Sequence, residues 1–460
     1  MTRLWLDITR LLERAVIGSL TGIDRAELAY AEHLPRDRVG FVVLNPFPGR
    51  LAILPAGAAR RFISRLRRAW RDGDAAACRL EALALLGLAF GRPGPVGGTY
   101  LLVSHRHLDR PGALGRSLRL AGVRFVPMIH DLIPMTHPEY VRPAETPRHR
   151  RRISAVAALA DAVLVNSAAT ADVLQPFLPA GLPVGAVPLG TDFSCKAEVG
   201  GLSGIARRHE GVINEASFTT ENHGVSQRFF VRSGDVGSDH ARSGSVVLRV
   251  LRGEVLPGSA RAGRAGHPAF VPPAGNAPYF VVIGTIEPRK NHLLLLHIWR
   301  RMVEQLGSKA PILMIAGRRG WENENILDLL DRCPALARHV IECSALSDDS
   351  LAELIGGARA LLMPSFAEGF GLPVAEALAL GTPVLCSDIP ALRETGGAVP
   401  DYIDPLDAPA WQAAIMDYAD PASIWRGAQL RRMPGWRPIR WADHVAAAVA
   451  FLDQSNGSPT

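Results

Sequence analysis

The stretch ARALLMPSFAEGFGLPVAEALALGTPVLCSD, residues 358–388, contains two short apolar runs separated by a helix-like segment rich in small residues. The runs around Leu361 and Leu385 have the length and continuous apolarity of buried strands. The segment that begins at Leu372 has the composition of a helix. A buried strand, a helix and a second buried strand in succession are typical of parallel neighbours in one sheet. The stretch therefore predicts an α/β fold.

The same rhythm continues on both sides of this stretch. Apolar runs that alternate with helical patterns include LWLDI (4–8), FVVLN (41–45), TYLLVS (99–104), RFVPMIHDL (124–132), PYFVVIGTI (278–286) and APILMIAGRRG (310–320). With 460 residues the chain is too long for one ordinary core. We therefore predict two doubly wound, Rossmann-like domains that face each other across a cleft, an N-terminal domain over 1–193 and a C-terminal domain over 278–440.

Two segments fall outside this rhythm. Residues 194–277 are rich in Gly, Ser, Arg and Pro and carry one short apolar run. We interpret them as a flexible inter-domain insertion, because a structureless stretch of this length is uncommon inside a compact domain. Residues 441–460 predict a C-terminal helix that packs back on the N-terminal domain, followed by a polar tail.

Composition limits the classes of function. The five cysteines form no CxxC pair, which fits a reducing cytoplasm, and no stretch is apolar enough to span a membrane. The net charge is +7, but no nucleic-acid-binding signature accompanies it, so we expect no nucleic-acid partner. The basic amphipathic segment 60–71 leaves two alternatives, peripheral contact with the inner face of a membrane or packing on its own domain.

The loop FAEGFG predicts a phosphate site. Gly369 and Gly371 allow a ligand to approach the backbone, and the following helix N-terminus offers free N–H groups. Glu368 lies just before that N-terminus, and Glu376, one turn inside the helix, is placed to accept hydrogen bonds from ribose hydroxyls. Two carboxylates at this spacing suit a nucleotide sugar. Taken alone, the pair would instead favour a surface acid and a solvated helix residue.

Lysine is rare in this chain. Lys196, Lys290 and Lys309 are its only lysines among 51 basic residues, so a retained lysine is a better candidate than usual for a specific role. Lys290 follows a predicted strand in GTIEPRKNH, at the predicted cleft. A compact ammonium group there would bind phosphate as a point charge.

Several motifs in order resemble family 4 retaining glycosyltransferases of the GT-B fold, in the mannosyltransferase-B-like, O-antigen-type subgroup. They cover nearly all of the chain except about 194–277, and they are EGFGLPVAE (368–376), GTPVLCSD (381–388), PALRETGG (390–397), GTIEPRKNH (284–292), AGRRGW (316–321), VPLGTD (187–192), HDLIPMTHPEY (130–140) and TGIDRAELAY (21–30).

The resemblance implies roles for individual residues. His130 and Glu368 would contact the donor sugar at the catalytic centre, and Lys290 would bind the donor diphosphate. Many relatives carry an arginine where Thr285 stands, so that one cationic phosphate contact is missing or replaced here. His105 is a lesser candidate for the site, and Asp131 is expected to be a turn residue. The remaining residues expected to bind the donor are Gly22, Thr285, Arg289, Gly369, Phe370, Gly371, Leu372 and Glu376.

The function implied is transfer of a hexose, with mannose from GDP-mannose as the expected donor, to a glycan or lipid-linked glycan acceptor in polysaccharide biosynthesis. No cofactor and no metal are expected, since the helix dipole and Lys290 would carry the charge that a cation otherwise balances. The alternatives are a nucleotide-sugar 2-epimerase, a phosphorylase, or a catalytically silent nucleotide-sugar-binding protein. No lysine recognisable as a pyridoxal phosphate ligand supports the phosphorylase.

Overall fold

The computed structural model describes residues 2–17, 21–45, 49–72, 74–193, 278–344 and 346–455, which all belong to one compact unit. The predicted insertion at 194–277 and the tail after residue 455 lie outside the described residues. Within the described ranges, no helix combines the length and apolarity needed to cross a membrane.

The first sheet lies in the N-terminal half. Its described strands are β1 (Leu4–Asp7), β2 (Val39–Asn45), β3 (Arg50–Ile53), β4 (Thr99–Leu102), β5 (Arg124–Ile129), β6 (Val163–Val165) and β7 (Val184–Ala186). The spatial order is β3-β2-β1-β4-β5-β6-β7, and every neighbouring pair is parallel except β2 with β3. The described helices that accompany this sheet are α1 (Thr9–Ile17), α2 (Gly22–His33), α3 (Ala56–Arg71), α4 (Arg79–Leu88), α5 (Pro111–Ala121), α6 (Ile133–Thr136), α7 (Glu145–Leu159) and α8 (Ala168–Leu174).

The second sheet lies in the C-terminal half and is parallel throughout. Its described strands are β8 (Tyr279–Ile283), β9 (Ile312–Ala316), β10 (Val340–Cys343), β11 (Leu361–Met363), β12 (Val384–Ser387) and β13 (Asp401–Ile403), in the order β10-β9-β8-β11-β12-β13. The described helices that follow residue 290 are α9 (His292–Leu306), α10 (Glu324–Arg332), α11 (Asp348–Gly356), α12 (Leu372–Ala379), α13 (Pro390–Gly396), α14 (Ala408–Ala419), α15 (Ile424–Arg432) and α16 (Trp441–Gln454).

Both sheets reverse their strand order at one internal position, which defines a doubly wound fold. The predicted α/β class with two such sheets is confirmed. Every strand predicted from a continuous apolar run is present, and strands β1, β4, β11 and β12 are buried along their whole length. This burial explains why these runs lack the alternation of a strand that has one face in water.

The apolar residues of segment 60–71 lie on helix α3, and they pack on their own domain and are not available for membrane contact. Phe62, Ile63 and Leu66 are at most 4% exposed and belong to the core beneath the first sheet. The apolar stripe of α3 therefore packs on its own half of the molecule, and its arginines face outward.

Helix α16, at the end of the described chain, packs on the N-terminal half. The His444 ring lies edge-on to Tyr30, with ring centroids 5.2 Å apart, and its Nδ1 donates to the carbonyl oxygen of Pro188 at 2.8 Å. The Arg38 guanidinium donates to both carboxylate oxygens of Asp453, at 2.9 and 2.6 Å. The end of the described chain is thus tied to the half that contains its beginning.

Candidate functional site

The candidate site lies where the second sheet reverses direction, between β8 and β11. In doubly wound sheets, ligands bind at the carboxyl ends of the strands that flank this position. The loop after β8 is 284–291, and the loop after β11 is 364–371. These are the two loops that the sequence predicted to bind the donor. The topology alone places them side by side, because β8 and β11 are paired neighbours.

Lys290 and Glu368 meet at the centre of these loops. The Lys290 Nζ atom donates to Glu368 Oε1 at 2.7 Å, and Arg289 Nη1 lies 2.8 Å from Glu368 Oε2. The Lys290 side chain passes over Gly284, where a Cβ atom would lie 3.1 Å from Lys290 Cε. The glycine backbone at 284, with φ of +139°, is therefore shaped to accommodate the lysine.

Two cations control the charge of Glu368. Burial by itself would raise the pKa of this carboxyl, but Arg289 and Lys290 outweigh burial and hold the pKa at about 2. Burial, with the repulsion of Arg289, lowers the pKa of Lys290. Glu287 also binds Arg289, at 2.6 Å. Glu368 is therefore a carboxylate at neutral pH.

Arg289 is fully engaged in positioning the loop after β11. Besides Glu287 and Glu368, it donates from Nη1 to the carbonyl oxygen of Ala367 at 2.7 Å, and its own carbonyl accepts from the N–H of Phe366 at 2.9 Å. Lys290, in contrast, has three N–H donors. Among the described residues, Glu368 is the one side chain that accepts a hydrogen bond from them. Of the two cations, Lys290 has the donors to spare for a ligand.

The Gly-Phe-Gly turn brings the two halves of the chain together. A Cβ atom on Gly369 would lie 2.2 Å from the carbonyl oxygen of His130, so only glycine fits there. The Gly369 carbonyl accepts from Ser167 Oγ at 2.8 Å. Gly371, with φ of +97°, precedes α12, where Leu372 is the first helical residue. The turn thus places the α12 N-terminus directly after the loop that contains Glu368.

Phe370 has a structural position between these glycines. Its ring is 5% exposed and packs in the core cluster of the first sheet. Its carbonyl oxygen accepts from Thr395 Oγ1 at 2.5 Å. Phe370 therefore anchors the turn to the core through its ring and to Thr395 through its backbone.

Glu376 has a different electrostatic environment from Glu368. It is 4% exposed, and its Oε1 atom lies 3.3 Å from Nη1 of Arg25, a residue of α2 in the other half of the chain. Burial raises the pKa of Glu376 to about 7, and the nearby carboxylates Asp348 and Asp192 add to that rise, whereas Arg25 opposes it. Glu376 therefore titrates near neutral pH.

His130 lies at the carboxyl end of β5, where the sequence predicts it, and is 5% exposed. Its Nε2 lies 2.7 Å from the carbonyl oxygen of Val103, an atom that can only accept, so Nε2 carries the proton. Burial lowers the pKa of His130, which keeps the ring neutral and leaves Nδ1 as an acceptor. The His105 ring lies 5.5 Å from that of His130. Asp131 is a turn residue whose Oδ1 accepts from the N–H of Ile133.

The two remaining predicted donor residues lie at the margins of this arrangement. Thr285 follows Gly284 in the loop after β8 and packs its methyl group against Gly320 of the loop after β9. Gly22 is exposed at the start of α2. The structure therefore brings Lys290, Arg289, Glu368 and the Gly-Phe-Gly turn into one cluster. His130 adjoins this cluster through its carbonyl oxygen, which lies against Gly369.

The residues that connect the halves were not predicted from the sequence. Arg25 lies in TGIDRAELAY and Glu394 in PALRETGG, two motifs that were singled out without a role for either residue. The Glu394 carboxylate accepts from the N–H groups of Ala168 and Ala169, at 2.8 and 3.1 Å, and so caps α8 from the opposite half. The signal in the sequence that could have identified them is a charged residue inside a motif that resembles the family.

Comparisons with known proteins agree with this geometry. Residues 267–398, which include both loops, match the family model described as "Glycosyl transferases group 1". The O-antigen chain mannosyltransferase B of Escherichia coli is 36% identical over 173 residues, which are 38% of this chain and 42% of that protein. The O-antigen chain mannosyltransferase RfbU of Salmonella typhimurium is 33% identical over 142 residues, 30% of this chain and 37% of the relative. The chain thus spans less than half the length of these curated relatives.

Solved structures match over the whole chain at low sequence identity. Sucrose-phosphate synthase from Thermosynechococcus elongatus has a TM-score of 0.58 at 17% identity and covers 99% of both chains. HepE from Anabaena, solved in complex with UDP-glucose, has a TM-score of 0.54 at 13% identity and covers 100% of both chains. At this identity the likeness concerns the fold. The fold is GT-B, and the loops after β8 and β11 both lie within the residues that match the group 1 model.

Proposed function

We propose that the chain is a retaining glycosyltransferase that transfers a hexose, mannose from GDP-mannose, to a glycan or lipid-linked glycan acceptor in polysaccharide biosynthesis. The observation that carries this proposal is the Lys290–Glu368 pair, 2.7 Å apart, at the position where the second sheet reverses direction. A buried ammonium beside a helix N-terminus suits a diphosphate, and a permanent carboxylate next to it suits the sugar that the diphosphate carries.

The proposed chemistry follows from the charges of these groups. As the bond between the anomeric carbon and the diphosphate breaks, negative charge grows on the phosphate and positive charge on the sugar. Lys290 and the α12 N-terminus would stabilise the first, and Glu368 the second. His130, neutral with Nδ1 as an acceptor, would hold a sugar hydroxyl. The acceptor oxygen would bond to the anomeric carbon on the face that the phosphate leaves, and the departing phosphate would take the acceptor proton. Attack on that face leaves the configuration at the anomeric carbon unchanged.

The choice of mannose rests on the names of the relatives. The relatives from E. coli and S. typhimurium are both named O-antigen chain mannosyltransferases. The solved HepE structure contains UDP-glucose, which is a nucleotide sugar of another type. The nucleotide and the sugar are therefore variables of the test, with GDP-mannose as the expected donor.

The experiment measures release of nucleoside diphosphate from GDP-mannose, UDP-glucose and UDP-N-acetylglucosamine, with and without glycan acceptors. We expect GDP release from GDP-mannose that increases with acceptor, an α-linked product by NMR, and no loss of activity in EDTA. An epimerase would alter the donor sugar without an acceptor, and a silent binding protein would bind donor without turnover. Either result would contradict the proposal.

Peripheral membrane contact belongs to the same proposal, because lipid-linked acceptors lie at a membrane surface. Helix α4 exposes Leu80 and Leu88, 81% and 50% accessible, and packs beside α3, whose Arg61, Arg65 and Arg68 are exposed. Apolar side chains flanked by arginines suit an anionic bilayer. We expect co-sedimentation with phosphatidylglycerol vesicles but not with phosphatidylcholine vesicles, and reduced co-sedimentation of the Leu80→Ser/Leu88→Ser double variant. Equal sedimentation with both lipids would contradict this part.

A further inference from the structure

Arg25 spans the two halves of the molecule. It begins on α2, and its guanidinium donates from Nη2 to Asp348 Oδ1 at 2.7 Å, at the start of α11, while Nη1 lies 3.3 Å from Glu376 Oε1 on α12. The guanidinium also lies over the rings of Trp70 and Phe193, 5.4 and 5.8 Å from their centroids. Such a side chain, 17% exposed and held by two carboxylates and two rings, has one defined position.

Glu376 depends on this arginine for its charge. The groups that face Glu376 are Arg25 from α2, Asp348 from α11 and Asp192 from the segment after β7. Asp348 and Asp192 are both negative, so Arg25 is the one neighbouring cation among the described residues that favours the ionised carboxylate. The second carboxylate oxygen of Glu376 accepts no hydrogen bond from any described residue and remains for a ligand.

The two glutamates of the loop and helix therefore obtain their countercharges from different places. Glu368 is held by Arg289 and Lys290, which lie on the same half of the chain. The countercharge of Glu376 comes from the opposite half, through Arg25. Among the described residues, the cation beside Glu376 thus belongs to the opposite half.

We propose that Arg25 is a positioning residue that acts across the two halves: it holds the Glu376 carboxylate in the form that accepts two sugar hydroxyls of the nucleotide, and so makes donor binding depend on a residue of the opposite half. The inference rests on the proposed function, in which Glu376 binds the nucleotide ribose. A neutral carboxyl would donate one hydrogen bond and accept fewer, so it would fit a pair of hydroxyl donors less well.

A purely structural ion pair makes a different prediction from a positioning residue. If Arg25 only joined the halves, its loss would weaken nucleotide binding equally at every pH. If Arg25 keeps Glu376 ionised, its loss should weaken binding near neutral pH and leave it intact in alkali, where Glu376 ionises without help. The pH profile of binding separates the two.

The test is calorimetric titration of the full chain with GDP, and with UDP as a second probe, from pH 6 to pH 9. We expect Arg25→Met to weaken binding about fivefold at pH 7, to move the midpoint of the profile upward by about one pH unit, and to match the wild type at pH 9. Arg25→Lys should restore most of the affinity at pH 7. Asp348→Asn is the matched control with the opposite sign, since removal of a neighbouring negative charge should move the midpoint downward.

Superposable profiles for Arg25→Met and the wild type would overturn the inference, as would a uniform loss of affinity at all pH values. If Arg25→Met fails to fold, an upward or absent shift in Asp348→Asn overturns it equally. A wild-type chain that binds neither GDP nor UDP would overturn the proposed function and the inference with it. If the wild type binds nucleotide but the pH profiles of the variants do not shift, the inference is overturned and the proposed function is not.

Discussion

Glu368 and Glu376 lie eight residues apart in one motif, their side chains are 9% and 6% exposed, and their charges are controlled in opposite ways. Two cations of the same half hold the pKa of Glu368 at about 2, whereas burial raises that of Glu376 to about 7 against a single arginine from the other half. The comparison teaches that a motif fixes which residues are present but not their ionisation. Ionisation depends on which neighbours the fold supplies.

The largest effect is expected from Lys290, which belongs to the Glu368 side of the comparison. Lys290→Ala should reduce kcat/KM for the donor about 30-fold to 1000-fold, a loss of about 2–4 kcal/mol in transition-state stabilisation, the range for removing a preorganised charge stabiliser. Lys290→Arg should recover part of this loss, because a guanidinium is too broad to bind between two phosphates as an ammonium does.

The matched control is Lys309→Ala, which removes an exposed lysine of the same half. It should leave the kinetic constants and thermal unfolding unchanged. Wild-type kinetics in Lys290→Arg would mean that Lys290 acts as a generic positive charge. Near-normal kinetics in Lys290→Ala would remove it from the site.

The next effect concerns the charge of Glu368 itself. Glu368→Gln keeps the shape of the side chain but leaves Lys290 and Arg289 without their shared carboxylate. We expect kcat to fall about 10²-fold at every pH from 5 to 9, because the wild-type group is ionised throughout that range. Full activity in a folded variant, checked by circular dichroism, would leave Glu368 as a structural ion-pair partner.

A smaller effect is expected at Glu376, and it falls on binding. Ribose contacts should be similar in the ground and transition states, so Glu376→Ala should raise the donor KM about tenfold and change kcat little. Steady-state kinetics with varied donor concentration make the measurement. The opposite pattern, an unchanged KM with a collapsed kcat, would exchange the roles assigned to the two glutamates.

The last effect is on the free energy of unfolding, and its sign differs between the two residues. The folded pKa of Glu376, about 7, lies above its ordinary value of 4.5, so its contribution to stability is complete below about pH 4.5 and is lost as the pH rises through 7. Glu368, at about 2, contributes stability above pH 4.5 and loses it as the pH falls through 2.

Urea unfolding at pH 5 and pH 8 measures this difference. Between these values the wild type should lose on the order of 2 kcal/mol more unfolding free energy than Glu376→Gln does. Glu368→Gln should follow the wild type over the same interval, since Glu368 stays ionised in both states. A wild type and a Glu376→Gln variant that change in parallel would contradict the raised pKa of Glu376.

The sequence predicted those parts of the molecule that local patterns encode. The strands β8 and β11, the glycine turn and the position of Lys290 and Glu368 in loops that follow buried strands were predicted from strand–loop–helix units. Strands β3 and β13 were not predicted, because Arg50–Ile53 and Asp401–Ile403 are short and partly exposed and so lack a continuous apolar run.

Contacts between the halves could not be predicted, because they join residues hundreds of positions apart. Arg25 and Glu376 are separated by 351 residues, and Ser167 and Gly369 by 202. Each of these residues has an ordinary local role in its own element, a helix position or a cap. Only the folded arrangement gives them a second partner.

The most direct test of the central claim, that the loops after β8 and β11 bind a nucleotide sugar through Lys290, is thermal unfolding with saturating GDP-mannose. Wild type, Lys290→Ala and Lys309→Ala would be compared at pH 8. A donor present at about 100 times its Kd stabilises the folded state by about 2.7 kcal/mol, so Tm should rise in the wild type and in Lys309→Ala but not in Lys290→Ala. An equal rise of Tm in all three proteins would contradict the account.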